Sequence, residues 1–188
     1  FLIYARVETI TREKLSILKD MGCVTIGMGV ESGSPWVRRY VLNRRTKDEK
    51  IVESFGLVHE FGIRVSAYNM MGLPFETRSD IFQTVELNRK CKTATSSVSF
   101  LEPYPNTEIY DLCARFGFID PGYIPKYGLM KPHIKSLYIS HRELKGLFKT
   151  FSMYIKVPRI LFPIMRLCEK DGFFSNLLLR IMVGLFAR

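Results

Sequence analysis

The chain opens on strict alternation. Phe1, Ile3, Ala5 and Val7 fall on one face and Tyr4, Arg6 and Glu8 on the other, which is the period of a strand. The spacing then becomes helical: Thr11 is a plausible N-cap, Leu15, Leu18 and Met21 form a stripe, and Gly22 is placed to close the helix in a left-handed turn. Cys23 to Glu31 returns to a strand. Thr46-Lys47-Asp48-Glu49 reads as a capping box with Thr46 as N-cap, and Ile51, Phe55, Val58 and Phe61 keep helical spacing up to Gly62. Ile63 to Leu73 is a third strand, Thr77 to about Lys92 a third helix, and Ser97 to Glu102 a fourth strand.

This order, β-α-β-α-β-α-β, predicts an α/β fold with parallel strands joined by right-handed crossovers. An open doubly wound sheet and a segment of a β/α barrel both fit. The first βα turn lacks G-x-G-x-x-G and no G-x-x-x-x-G-K-[ST] is present, which removes the usual nucleotide signals of the open folds and favours the barrel segment. Four strands cannot close a barrel, so earlier strands are expected upstream and the Leu2 to Val7 strand is expected to have a bare edge. The chain begins on Phe1, directly in a strand, and reads as part of something longer.

From Pro121 the pattern changes, and the domains are drawn as 1–120, the barrel part, and 121–188, a basic and largely helical extension. Tyr123 to His133 is an irregular connector rich in Gly, Pro and Tyr. Ser140 to Lys156 reads as a helix with a Ser140/Glu143 capping box and Leu144, Leu147, Phe148 and Phe151 on one face. Beyond it, Val157 to Cys168 is broken by Pro158 and Pro163, and Phe173 to Ala187 is mostly apolar with Arg180 in the middle; neither run reaches the roughly 20 residues of a membrane span.

Hydrophobic residues make up 47% of the chain and charged residues 24%, which excludes a disordered or low-complexity protein. The net charge of +10 is unevenly placed: residues 1–120 hold 16 basic and 15 acidic side chains, residues 121–188 hold 12 and 3. The basic residues of the tail are spread among aliphatic ones with few aromatics positioned between neighbouring cations, so a small-molecule substrate is expected rather than a nucleic acid. Either the apolar runs pack on the barrel, or residues 157–188 touch a membrane surface with Arg159, Arg166, Lys170, Arg180 and Arg188 meeting anionic lipid. The expected location is cytoplasmic, peripheral at the membrane in the second case. Four cysteines, at 23, 91, 113 and 168, have no metal-ligand spacing and are expected to be reduced, buried thiols.

In Val24 to Glu31, the residues Thr25, Gly27, Gly29 and Glu31 share one face. Barrel interiors are ordinarily filled by branched side chains, so two glycines there leave room for a ligand near Glu31; alternatively the glycines permit close packing and Glu31 caps a loop. At the end of the third strand, Gly72 and Pro74 fix the backbone, exposing amides and carbonyls to a planar heterocycle, with Glu76 before a helix N-terminus; an ordinary βα turn is the other reading. Glu102-Pro103-Tyr104-Pro105-Asn106 is a stiff loop placing Tyr104 near the same rim.

Gly29-Val30-Glu31-Ser32-Gly33-Ser34-Pro35, Leu42-Asn43-Arg44-Arg45-Thr46, Met71-Gly72-Leu73-Pro74-Phe75-Glu76-Thr77 and Pro103-Tyr104-Pro105-Asn106-Thr107-Glu108-Ile109-Tyr110, in this order and spacing, resemble the carboxyl-terminal half of a radical S-adenosylmethionine (radical SAM) enzyme core. The resemblance covers about residues 1–111 and is nearest to the branch often paired with a cobalamin-binding domain. It implies part of a (β/α)6 partial TIM-type barrel, with a [4Fe-4S] cluster, S-adenosylmethionine reductively cleaved to a 5′-deoxyadenosyl radical, and cobalamin through an upstream domain. It implies cofactor contacts from Glu31, Ser32, Met71, Gly72, Leu73, Pro74 and Glu76, and a substrate faced by Arg6, Glu8, Asn69 and Tyr104. Methyl transfer is the expected reaction class, and a non-catalytic βα binding scaffold the alternative.

Two departures stand out. The family's C-x-x-x-C-x-x-C cluster motif is absent, so the cluster and the amino-terminal half of the barrel are expected from other sequence, and the chain alone is expected to be inactive. Phe75 stands where the family more often has Gly, a bulky ring able to reshape an adenine pocket.

Overall fold

A computed structural model describes residues 1–125 and 130–186. Residues 126–129 of the predicted connector, and Arg188 among the predicted tail cations, lie outside the described residues. A four-stranded sheet has the order β1 (Leu2–Ala5), β2 (Thr25–Glu31), β3 (Arg64–Met71) and β4 (Thr95–Phe100). β1 pairs parallel with β2 and β2 parallel with β3, with helices α1 (Arg12–Asp20), α3 (Asp48–Glu60) and α4 (Arg78–Cys91) in the crossovers. This is the predicted α/β order, and β1 stands at the end of the sheet as expected.

Local signals start and stop the helices. Thr11 accepts a hydrogen bond from the Lys14 amide at 3.3 Å, and Gly22 and Gly62 close α1 and α3 with φ of 83° and 65°. One cap is corrected: Thr46 does not cap α3, which begins after Lys47 without a side-chain cap, and the Thr46 hydroxyl donates instead to Glu8. An additional helix, α2 (Pro35–Tyr40), occupies the polar stretch after β2. It starts on Ser34, whose hydroxyl accepts from the Val37 amide at 3.4 Å, with Pro35 in the first turn where its missing N–H is harmless.

The chain groups into two compact units, residues 1–69 with 79–97, and residues 70–78 with 98–188. In the first, Ile26, Met28 and Val30 of β2, Val65 and Ala67 of β3, and Phe55 and Val58 of α3 form a buried core. Phe55 is wholly buried, so Phe55→Ala is worth about 3–5 kcal/mol of stability. Because these side chains take the helix-facing side of β2, Thr25, Gly27, Gly29 and Glu31 are left for the opposite face.

The second unit contains α5 (Glu108–Arg115), α6 (His141–Lys156), α7 (Phe162–Cys168) and α8 (Phe173–Phe186). The predicted capping box at Ser140 and Glu143 is present in full. Within this unit Arg78 holds Glu169 through two hydrogen bonds of 2.9 and 2.6 Å, and the Tyr154 hydroxyl donates to the same carboxylate at 2.5 Å. All four cysteines are free and buried, and burial pushes the Cys91 and Cys113 thiols up to about 12.

Candidate functional site

The face of β2 that the core leaves free carries a carboxylate in an unusual backbone position. Glu31 sits at a register irregularity between Gly29 and Glu31 and adopts φ of 64°, a left-handed conformation that a residue with a side chain seldom takes. The turn folds its carboxylate back over the strand, and a Cβ added at Gly29 would stand 2.3 Å from Glu31 Oε1. Glycine at 29 thus leaves open the space that the end of the Glu31 side chain occupies. Arg44 Nη2 lies 3.2 Å from Glu31 Oε1. Burial pushes the Glu31 carboxyl up, and the positive charge of Arg44 opposes that shift.

Gly27, one pleat earlier, lies under two tyrosines: a Cβ there would meet Tyr4 at 2.7 Å and Tyr68 at 2.8 Å. The two rings meet edge to face at 5.4 Å. Together Tyr4, Ala5, Arg6, Gly27, Gly29, Glu31, Arg44 and Tyr68 line a cavity of about 330 Å³, within the lower range for small-molecule sites. A second cavity, of about 650 Å³, is lined by Arg6, Glu8, Arg44 and Thr46 among others. Arg6 and Glu8 are thus brought to the same face as Glu31. Burial pushes Glu8 up, but the Thr46 hydroxyl, its own amide and Arg6 together hold it below the usual carboxylate range.

The loop after Glu31 is pinned from inside. Ser32 is wholly buried, its hydroxyl accepting from the Ser34 amide at 3.2 Å and its carbonyl accepting from Arg38 Nη1 at 2.7 Å. Arg38 is itself buried and reaches Asp48 with its other nitrogen. The Gly33 amide donates to Thr84 Oγ1 at 2.7 Å, and a Cβ at Gly33 would stand 2.2 Å from the Gln83 carbonyl oxygen. Ser32, expected to touch cofactor, is buried, with its hydroxyl and carbonyl both engaged within the loop.

Asn69 is corrected as well. It belongs to the buried face of β3 with Val65 and Ala67, and its amide donates to Asn88 Oδ1 at 3.3 Å and to the Ser97 carbonyl at 2.9 Å. The β3 residue that lines the Glu31/Arg44 cavity is Tyr68. Parity with Ile63, Val65 and Ala67 was the signal that placed Asn69 on the helix side. Arg44 lay in plain view within the Leu42 to Thr46 motif, while Arg38 had no signal beyond its helical spacing from the loop it holds.

The Met71 to Thr77 turn belongs to the second unit. Glu76 is buried and its Oε2 accepts from the Gly72 amide at 2.7 Å and the Leu73 amide at 3.2 Å. The Met71 carbonyl accepts from the Leu101 amide at 3.1 Å. The amides expected to face a heterocycle are thus taken, and Glu76 locks the turn from within. Phe75 holds φ of 61°, which explains why glycine suits this position, and its ring packs edge-on against Phe116 and Phe118 at 5.2 and 4.9 Å. Pro74 is part of the same turn, and Tyr104 is exposed with its carbonyl accepting from Thr107 Oγ1 at 2.6 Å.

Among the described residues no group of three His, Cys, Asp or Glu side chains can hold a metal ion. The residues of this chain therefore do not fit a [4Fe-4S] cluster, whereas the Glu31/Arg44 cavity offers a charged acceptor and donor to a polar organic cofactor.

The model of the Radical SAM superfamily matches residues 2–87. The chain is 22% identical over 184 residues to the uncharacterized methyltransferase PH0819 of Pyrococcus horikoshii, covering 97% of this chain and 39% of that protein. It is 28% identical over 107 residues to the putative methylthiotransferase MJ0865 of Methanocaldococcus jannaschii, covering 57% of this chain and 24% of that protein. The chain thus spans well under half the length of these curated relatives. The solved structure of the radical S-adenosylmethionine methyltransferase TsrM from Kitasatospora setae, with cobalamin and a [4Fe-4S] cluster bound, superposes with a TM-score of 0.53 at 19% identity, over 60% of this chain and 23% of that one. At that identity the likeness shows the fold. Residues 2–87, which build the β2 strand, its glycines and Glu31, are thus the part of the chain that is similar to the Radical SAM superfamily.

Proposed function

We propose that the chain is the S-adenosylmethionine-binding part of a radical SAM enzyme whose reaction is of the methyl-transfer or methylthiolation class. The observation that carries this reading is the half-buried Glu31 carboxylate, paired with Arg44 over a strand of two glycines inside the family-matched segment. In this reading Glu31 accepts from the ribose hydroxyls or the ammonium of S-adenosylmethionine, bonds of the strong, charge-assisted kind. Arg44 favours the charged form of Glu31 and offers its remaining donors to the carboxylate end of the ligand. Arg6, Glu8 and Tyr68 face a small-molecule substrate.

Bound together with a reduced [4Fe-4S] cluster, S-adenosylmethionine supplies radical chemistry at an unactivated C–H bond. On this reading the cluster would be held by sequence other than these 188 residues, and cobalamin, where the enzyme uses it, by a separate domain. The names of the two curated relatives support the methyl or methylthio class.

Calorimetric titration of S-adenosylmethionine into the chain tests the binding part. The chain should bind, and Glu31→Gln should weaken binding by about 1.5–3 kcal/mol, more than tenfold. Equal affinities would make Glu31 a loop cap. The lack of a three-cysteine motif favours one second reading, a scaffold that binds without reacting. Formation of 5′-deoxyadenosine by the full-length, cluster-loaded protein separates the two; binding without it supports the scaffold.

A further inference from the structure

α8 is apolar on nearly every side and sparsely covered. Of its fourteen residues only Met182 is buried, while Phe173 and Phe174 are 76% and 83% exposed. Phe173, Leu177, Ile181 and Leu185, all exposed, recur every four residues and form one stripe along the helix. Ile160 and Leu167, also exposed, extend the apolar surface onto α7 and the turn before it, and α7 packs on α8. A helix of this kind needs an apolar phase or a partner.

Charge decides which. α8 contains no acidic residue, and its one charge is the exposed Arg180. Arg159, Arg166 and Lys170 are exposed in the segment before it. The acids between 157 and 186 are Glu169, which is tied to Arg78 and Tyr154, and Asp171. A second copy seated on this face would bring like charges together with a single acid per copy to offset them, which disfavours a self-complementary interface. An anionic surface has the opposite sign. Fourteen residues of helix extend about 21 Å, less than the ~30 Å of a hydrocarbon core, and among the described residues no helix is long and apolar enough to cross a membrane.

We propose that α7 and α8 form an interfacial anchor that lies in the headgroup boundary of an anionic lipid bilayer, the Phe173 to Leu185 stripe immersed and Arg159, Arg166, Lys170 and Arg180 meeting lipid phosphates. The long basic side chains reach outward from an immersed apolar face, the arrangement of peripheral amphipathic helices.

Co-sedimentation tests it with the chain as it stands. At low salt the chain should pellet with vesicles of phosphatidylcholine mixed with phosphatidylglycerol, stay largely in the supernatant with phosphatidylcholine alone, and be released by salt. F173S/F174S/I181S, three changes at exposed positions, should lower vesicle affinity on the order of tenfold or more. Arg180→Glu should lower it about fivefold or more. As a readout independent of those variants' folding, W36F/L177W, whose single indole lies on the stripe, should show a blue-shifted emission that brominated acyl chains quench. A chain that ignores anionic vesicles, or W36F/L177W emission that brominated lipid leaves unquenched, overturns the anchor. So does a chain that sediments as a dimer while F173S/F174S/I181S is a monomer, which would assign the face to a second copy.

Discussion

Arg44 stands 3.2 Å from Glu31 although thirteen positions separate them, and α2 lies between. The pair sets two opposed effects on one carboxyl group. Burial works against its charge and the guanidinium supports it, with burial the larger. A carboxyl group whose charge is disfavoured by burial is a good acceptor for a cationic or hydroxyl-bearing ligand that restores its solvation, and its charged form is an unfavourable element of the empty fold.

The pH dependence follows from that sign. A glutamate whose folded pKa is raised contributes stability below its unfolded pKa and loses it as pH rises through the folded value. Glu31→Gln should therefore be at least as stable as the parent at neutral pH, with the advantage shrinking as pH falls into the ordinary glutamate range. Thermal melts of both proteins across pH 4 to 8 check this, in about the window where carboxylates titrate. A variant that is less stable at pH 7 and equal at pH 4 would reverse the assignment.

The two glycines flanking Glu31 should answer differently to the same change. At Gly29 the added methyl meets the end of the flexible Glu31 side chain. Gly29→Ala is expected to keep stability within about 1 kcal/mol while displacing the carboxylate and weakening S-adenosylmethionine about tenfold or more. At Gly33 the methyl meets the backbone of Gln83 and Thr84, at 2.2 and 2.4 Å. Gly33→Ala should lose about 2–3 kcal/mol, since overpacking against backbone cannot relax by a rotamer change. Urea melts paired with calorimetry distinguish the two.

At Phe75 the order of two truncations should invert. Alanine removes the ring from Phe116 and Phe118 and keeps the left-handed backbone; glycine removes the same ring and relieves the backbone. Phe75→Gly should be more stable than Phe75→Ala by about 1 kcal/mol, opposite to the usual ranking of the two residues. Both should fall below the parent. Finding Ala above Gly would mean that the turn readjusts.

Glu76 should prove structural. Glu76→Gln keeps one acceptor oxygen for the Gly72 and Leu73 amides and removes the charge, so about 1–2 kcal/mol of stability should be lost. Under saturating ligand its affinity for S-adenosylmethionine should stay within about threefold of the parent. A tenfold loss of affinity without a change in melting would return Glu76 to the cofactor.

Much of the scaffold is local in origin and legible along the chain. Alternation in Phe1 to Glu8 and Cys23 to Glu31, the Thr11 and Ser140/Glu143 caps, and Gly22 and Gly62 at helix ends each express contacts within a few residues, so spacing encodes them. The parity of β2 also put Thr25, Gly27, Gly29 and Glu31 on one face before any coordinates did. By the same parity Asn69 belonged with Val65 and Ala67, and it was the family resemblance that suggested a substrate there. α2 was not expected, although Ser34-Pro35, a cap followed by a first-turn proline, is a local signal for its start.

The rest depended on which residues meet across the fold. Thr46 had a good capping partner three residues on, yet its hydroxyl went to Glu8, supplied from the end of the first strand. Arg38 found the Ser32 carbonyl and Asp48, and Glu76 turned inward onto two amides it was expected to leave open. Phe75 faced Phe116 and Phe118 from more than forty residues away. Periodicity states which positions leave water, because hydrophobic burial is nearly indifferent to partner. A hydrogen bond or an ion pair is directional and short, so the partner of a buried polar group is settled only once the chain has brought its candidates within about 3 Å, and that choice belongs to the tertiary structure.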